Sequence, residues 1–117
     1  MNKLKAAFIA AGNDYNAALE RTACDEELLT ELMHMFLADE NFRLMRASME
    51  AGETEQAFRA AHSLKGSCGM LGMTKLYSGM VKITDELRRG DIDGARRVYP
   101  EVLKAHKDLV SLLEKYL

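Results

Sequence analysis

Residues 60–72 read AAHSLKGSCGMLG, a stretch with helical periodicity that carries one histidine and three glycines. At about 100° per residue, one face of such a helix collects small and apolar side chains, as in a helix packed on a core. These side chains belong to Ala57, Ala60, Leu64, Cys68 and Leu71. His62 falls on the opposite face together with Gly66 and Gly69. The pattern therefore predicts that His62 projects into solvent from the middle of a helix.

The glycines near His62 need a reason other than core packing. A glycine in a helix interior costs roughly 0.8–1 kcal/mol relative to alanine, and both Gly66 and Gly69 lie on the predicted solvent face. We interpret Gly66 as space that lets another protein bring its backbone close to the imidazole. Lys65 follows His62 by three residues and adds a positive charge beside it. A cation beside an exposed histidine suits an anionic ligand such as a phosphoryl group.

Helical periodicity continues on both sides of this segment, without the alternation of a strand. Apolar stripes and glycine breaks predict helices over 4–11, 15–21, 25–51, 53–71, 75–89 and 94–117. The helix 25–51 is expected to kink near residues 38–41. Its core-facing stripe follows helical spacings and comprises Leu28, Leu32, Met35, Phe42, Met45 and Met49.

Polar and glycine residues predict where these helices begin and end. Asp25 is the expected N-cap of helix 25–51, Thr74 can cap helix 75–89, and Asp91 or Asp93 begins the last helix. The expected breaks are Gly12, Gly52, Gly72, Gly90 and Gly94. Pro100 falls inside the last pattern, where it is expected to kink that helix or to mark the first turn of a separate one.

The helix plan predicts one all-α domain over residues 1–117. Four amphipathic helices with short loops favour an antiparallel up-down-up-down four-helix bundle, preceded by a short N-terminal helical segment. We interpret the methionine and leucine stripes as plain bundle core, because core-facing positions of any bundle are apolar.

Composition argues against several broad classes of function, although it leaves room for a small local basic patch. The net charge of −2, from 16 Lys and Arg against 18 Asp and Glu, does not favour a general grip on nucleic acid. No apolar run approaches the roughly 20 residues that span a bilayer, and the stretch 6–11 is short for the core of a signal peptide. Cys24 and Cys68 lack metal-site spacing. We therefore expect a cytoplasmic protein with no metal site, no membrane segment and no nucleic-acid partner.

The spacing H-x-L-K-G-S-x-x-x-L-G over residues 62–72 resembles the motif of histidine-containing phosphotransfer (HPt) domains of multistep phosphorelays. In this resemblance His62 falls on the phosphorylated histidine, Lys65 on the lysine that accompanies it and Gly66 on the glycine that leaves room for the receiver. The small, apolar and glycine positions that follow match Ser67, Leu71 and Gly72. Gly69 departs from the pattern, which more often has alanine or another small residue there. The resemblance extends over nearly the whole chain.

The resemblance implies a phosphocarrier in a two-component phosphorelay. His62 would accept a phosphoryl group from a receiver-domain aspartate and pass it to another receiver, while Lys65 partly neutralises the phosphoryl oxygens. The implied partners are response-regulator receiver domains and a hybrid sensor histidine kinase, with Mg²⁺ on the receiver and no cofactor on this chain. The candidate receiver-docking residues are Phe58, Arg59, Ser67 and Gly69. We expect no kinase activity, because the sequence has no glycine-rich phosphate loop and no acidic cluster that would hold ATP and metal. We also expect a monomer, because the four apolar stripes leave no obvious apolar seam for a dimer.

The sequence alone leaves two other functions and several structural interpretations open. The chain can be the phosphotransfer module of a chemotaxis-type kinase system, phosphorylated by a separate ATP-binding domain, although its start at Met1 favours a free-standing carrier. It can also be a scaffold bundle that binds receivers without accepting phosphate. Phe58 can be core at the helix edge, and Arg59 an ordinary solvated residue. His34 and His106 are interpreted as surface or structural histidines, and Cys68 as a small core residue.

Overall fold

The computed structural model describes residues 3–117. Within them the chain forms seven α-helices and no strand. The helices are α1 (Lys3–Ala10), α2 (Tyr15–Arg21), α3 (Glu26–Ala38), α4 (Asn41–Glu50), α5 (Thr54–Met70), α6 (Thr74–Arg88) and α7 (Ile92–Tyr116). The prediction of an all-α fold is thereby confirmed for this part of the chain. The first two residues of the predicted domain, 1–117, lie outside the described residues.

Aspartate side chains begin three of the helices. Asp14, Asp25 and Asp91 are the N-caps of α2, α3 and α7, and the carboxylate of each accepts a hydrogen bond from the backbone N–H three residues on. The expected cap at Thr74 is wrong, because Thr74 is already the first helical residue and Met73 occupies the N-cap position. The expected break at Gly94 is also wrong. Its N–H donates to Asp91 Oδ1 over 2.8 Å, which places Gly94 inside the first turn of α7.

The segment predicted as one helix over 25–51 consists of two helices, so that prediction is wrong. Asp39 follows α3 with extended backbone (φ −69°, ψ 128°), and its Oδ1 accepts a hydrogen bond of 2.8 Å from Asn41 N at the start of α4. This break lies where the sequence suggested a kink. Pro100, by contrast, does not split its helix, since α7 is continuous from Ile92 to Tyr116.

The buried face of α3 also differs from the predicted stripe. Leu29, Met33 and Phe36 are buried in the core, whereas Leu28 and Met35 are 39% and 65% exposed. The predicted series and the buried series have the same helical spacing. Tertiary packing buries Leu29, Met33 and Phe36 instead of the predicted Leu28 and Met35. In α4 the predicted residues Met45 and Met49 are buried as expected.

Contacts between helices fix the neighbours of α5. It packs against α4 on one side and α6 on the other, and α6 packs against α7. Phe58 near the start of α5 meets Arg88 at the end of α6, and Gly69 near the end of α5 meets Tyr77 near the start of α6. These two helices are therefore antiparallel.

The last helix, α7, also returns to α4. The Phe42 ring stacks on the His106 imidazole with centroids 3.8 Å apart, and Arg96 Nη2 donates to Met49 O over 2.8 Å. A single cluster of buried apolar side chains fills the space between the helices. None of the described helices combines the length and the apolar character needed to cross a bilayer.

Candidate functional site

His62 projects into solvent from the middle of α5. The helix is anchored by its opposite face, where the five residues predicted to face the core are all buried: Ala57, Ala60, Leu64, Cys68 and Leu71. A helix held along its whole length gives the exposed imidazole a rigid base. The site is thus a side chain presented by a rigid scaffold rather than by a loop.

One turn before His62, an aromatic ring lies beside the imidazole. The centroids of Phe58 and His62 are 5.8 Å apart and their planes are inclined by 23°. From the end of α6, the guanidinium carbon of Arg88 lies 5.5 Å from the centroid of the same Phe58 ring. Phe58 is half-buried, so it borders the core and the site at once.

One turn after His62, the helix carries a cation and an open space. Lys65 is half-buried and forms no ion pair or hydrogen bond with the described residues, which leaves its ammonium available to a ligand. A Cβ built on Gly66 would meet nothing within 4 Å. Because helical side chains lean toward the N-terminus, the Lys65 side chain leans back toward His62. The surface beside the imidazole is therefore positively charged and sterically open.

Gly69 differs from Gly66, although the sequence placed both on the solvent face. A Cβ on Gly69 would lie 3.0 Å from Cε1 of Tyr77, so the α6 tyrosine covers this position. The carbonyl oxygen of Gly69 accepts a hydrogen bond of 2.6 Å from Arg21 Nη1, which ties α2 to the end of α5. The interpretation that core packing does not require a small residue at Gly69 is wrong, because helix packing supplies that reason.

The other two candidate docking residues have different surroundings. Arg59 is exposed and its Nη2 pairs with Glu55 Oε1 over 2.7 Å, within the same helix. Ser67 lines a cavity of about 240 Å³ between α3 and α5, together with Leu32, Met35, Asp39 and Met70 among others. Ser67 thus adjoins an apolar surface that the sequence reasoning assigned to the core.

The sequence did not predict four exposed side chains around α5 as members of the site: Met35, Met70, Tyr77 and Arg88. Met35 was assigned to the buried stripe of its helix. Tyr77 and Arg88 belong to α6, and no local spacing could indicate that they meet Gly69 and Phe58 across the helix interface.

The remaining histidines and cysteines lie in other environments. His34 is exposed on α3, and His106 is half-buried against Phe42. Burial lowers the pKa of His106, and the nearby Asp39 carboxylate opposes that shift. Burial raises the pKa of the Cys68 thiol to about 12, so this group stays protonated in the core. Residues 3–117 contain no group of three or more His, Cys, Asp or Glu side chains arranged to hold a metal ion.

Comparisons with known proteins give one match. A family model described as the Hpt domain matches residues 3–115, nearly the whole chain. No curated protein and no solved structure matches the chain.

Proposed function

The chain belongs to the Hpt domain family, and on this premise we propose that it is a phosphocarrier of a two-component phosphorelay, with His62 as the phosphorylated residue. It accepts the phosphoryl group from a receiver-domain aspartate and passes it to another receiver. One observation carries the assignment to His62. Its imidazole is exposed in the middle of α5, with an available cation at Lys65 and open space at Gly66.

The chemistry follows from that arrangement. The unprotonated imidazole nitrogen of His62 attacks the phosphorus of the aspartyl phosphate. The P–N bond forms as the P–O bond to aspartate breaks, the carboxylate leaves, and the other ring nitrogen releases its proton to solvent. Lys65 stabilises the phosphoryl oxygens as charge develops on them. The receiver supplies the aspartate and Mg²⁺, and transfer to a second receiver is the same step reversed.

Exposed apolar side chains flank this surface and support a protein as the partner. Met35, Met70 and Tyr77 are 65%, 42% and 40% exposed. Methionine and tyrosine are enriched at protein interfaces, where their flexible or flat side chains adapt to a partner. Among the docking residues predicted from sequence, Ser67 lies beside the exposed Met35 and Met70. Gly69 is covered by Tyr77, so the tyrosine ring forms the surface there.

We propose further that the helices form a four-helix bundle and that the protein acts as a monomer in the cytoplasm. The antiparallel contacts of α5 with α6, and the return of α7 to α4, support an up-down-up-down four-helix bundle. We place the protein in the cytoplasm as a monomer without kinase activity, a cofactor or a nucleic-acid partner of its own. Its donor is a hybrid sensor histidine kinase and its acceptor a response regulator, each through a receiver domain.

The test is transfer from a receiver domain that has been phosphorylated with radiolabelled acetyl phosphate. Wild type and His34→Gln should take up label, because His34 lies on α3 and is not part of the site. His62→Gln should take up none, since glutamine has no nucleophilic ring nitrogen. Equal labelling of His62→Gln and wild type would remove His62 from the mechanism.

Labelling experiments also separate the carrier from the alternative functions. Direct use of ATP predicts labelling of the chain alone with ATP and Mg²⁺, which the carrier proposal excludes. A chemotaxis-type module predicts labelling only after a separate ATP-binding kinase domain is added, without a receiver. A scaffold predicts that a receiver binds wild type and His62→Gln equally and labels neither of them.

A further inference from the structure

The Phe58 ring has two neighbours beside the site, the Arg88 guanidinium and the His62 imidazole. The Arg88 guanidinium carbon is 5.5 Å from the Phe58 ring centroid, and that ring is in turn 5.8 Å from the His62 imidazole. Arg88 is itself held by Asp85, whose Oδ1 accepts a hydrogen bond of 2.8 Å from Arg88 Nη1. The phenyl ring therefore contacts both a cation from α6 and the exposed imidazole of α5.

The geometry of a helix explains why the imidazole meets this ring. Side chains lean toward the helix N-terminus, so His62 leans over the residue one turn before it, which is Phe58. The centroid separation and the small interplanar angle fall in the range of offset stacking. An exposed histidine without such a neighbour samples several staggered rotamers. Stacking on a ring that is anchored in the core favours one of them.

We propose that Phe58 is a positioning residue, whose ring holds the His62 imidazole in the orientation that presents a ring nitrogen to the incoming phosphorus. Arg88 contributes by holding the Phe58 ring through a cation–π contact. This inference rests on the proposed function of His62. In-line phosphoryl transfer depends on alignment of the attacking atom, so an imidazole that is already oriented reacts faster. A docking role for Phe58 would instead change how tightly the receiver binds.

A small phosphodonor separates positioning from docking. Phosphoramidate phosphorylates an imidazole without a protein interface. Phe58→Leu should slow phosphorylation by phosphoramidate and by the receiver alike, by about 3- to 10-fold, because the imidazole then spreads over several rotamers. Its affinity for the receiver should be unchanged. Phe58→Tyr retains the ring and should stay within about 2-fold of wild type.

The chain offers a matched control at Phe42. This residue is also half-buried, and it stacks on another histidine, His106, between α4 and α7. Phe42→Leu should lower stability without slowing either reaction. Arg88→Gln removes the cation that contacts the Phe58 ring and should therefore slow phosphorylation of His62 by about 2-fold. The control is Arg89→Gln, which removes the neighbouring arginine that pairs with Glu86. This variant should be phosphorylated at the wild-type rate.

Nuclear magnetic resonance of the unphosphorylated protein tests the stack without any transfer reaction. Loss of the phenyl ring current in Phe58→Leu should move the His62 ring-proton resonances downfield, and side-chain couplings should show rotamer averaging. Unchanged His62 resonances would overturn the inference, as would a loss of rate with the receiver but not with phosphoramidate. If wild type accepts phosphate from neither donor, the proposed function fails, while the resonances still report on the stack.

Discussion

The ring of Tyr77 occupies the space in front of Gly69, since a Cβ on that glycine would lie 3.0 Å from Cε1 of the tyrosine. Gly66, three residues earlier on the same helix, has no such neighbour within 4 Å. The two positions therefore hold a glycine for different reasons. Gly69 allows α6 to approach α5, and Gly66 leaves the side of His62 open.

The first prediction concerns Gly66. Gly66→Ala should raise the free energy of unfolding by up to about 1 kcal/mol, because alanine favours the helix and its Cβ meets open space. Gly66→Leu should fold equally well yet slow transfer from a phosphorylated receiver at least about 10-fold, by obstructing its approach. Urea unfolding and the labelling assay measure the two effects. Normal transfer by folded Gly66→Leu would show that this space has no role in access.

The second prediction concerns Gly69 and Tyr77 together. Gly69→Ala should stabilise the protein less than Gly66→Ala, or should destabilise it, because the new methyl group presses on the tyrosine ring. In a Tyr77→Ala background, the same substitution should recover the full helix benefit of roughly 0.8–1 kcal/mol. A double-mutant cycle measured by urea unfolding gives this coupling directly. Additive effects would mean that the two residues do not interact.

The third prediction concerns Lys65. Lys65→Gln should slow phosphoryl transfer by roughly 10- to 100-fold, as expected when one charge-assisted hydrogen bond is lost from the transition state. Transfer by wild type should weaken as salt is added, and transfer by the variant should depend less on salt. Lys107→Gln, an exposed lysine on α7, is the control and should react at the wild-type rate.

The fourth prediction concerns pH and His106. Burial holds the pKa of His106 below its ordinary value of 6.5, so the folded protein favours the neutral ring. Below that value the unfolded chain binds the proton first, and stability is lost progressively as pH falls toward the folded-state pKa. His106→Phe keeps a ring against Phe42 but cannot titrate. Its free energy of unfolding should fall less than that of wild type between about pH 7.5 and 5.5, and an equal loss would contradict this account.

The fifth prediction concerns the turn after α5. Gly72 has φ +66° and a Cβ there would collide with the backbone oxygen of Asp14, whereas Gly52 has φ +74° and open space around it. Gly52→Ala should therefore cost only the left-handed conformation, about 1–2 kcal/mol. Gly72→Ala should cost clearly more, since α2 must move away from the turn. Thermal or urea unfolding of the two variants compares them, and equal losses would show that the approach of Asp14 is not tight.

The helix order, the breaks at Gly52, Gly72 and Gly90, and the outward direction of His62 follow from the sequence, because each depends on local spacing and turn chemistry. The buried face of α3 does not. Its two apolar series, one with Leu28 and Met35 and one with Leu29 and Met33, have the same period, so periodicity alone could not select between them. Only packing against the rest of the bundle does so.

Only part of the candidate site could be predicted from the sequence. His62, Lys65 and Gly66 are neighbours in one helix, so their spacing alone brings them together. Tyr77 and Arg88 of α6, which contact Gly69 and Phe58, meet α5 only through the antiparallel packing of two helices. A sequence pattern contains no register between helices, so these two residues could not be found from it.

The most direct measurement is the position of the phosphate after incubation with a phosphorylated receiver domain. Peptide mass spectrometry of the quenched protein should find it on His62, and the label should be lost in acid and kept in base, as for a phosphoramidate bond. Phosphate on any other residue, or a label that survives acid, would contradict the claim that His62 carries the phosphoryl group.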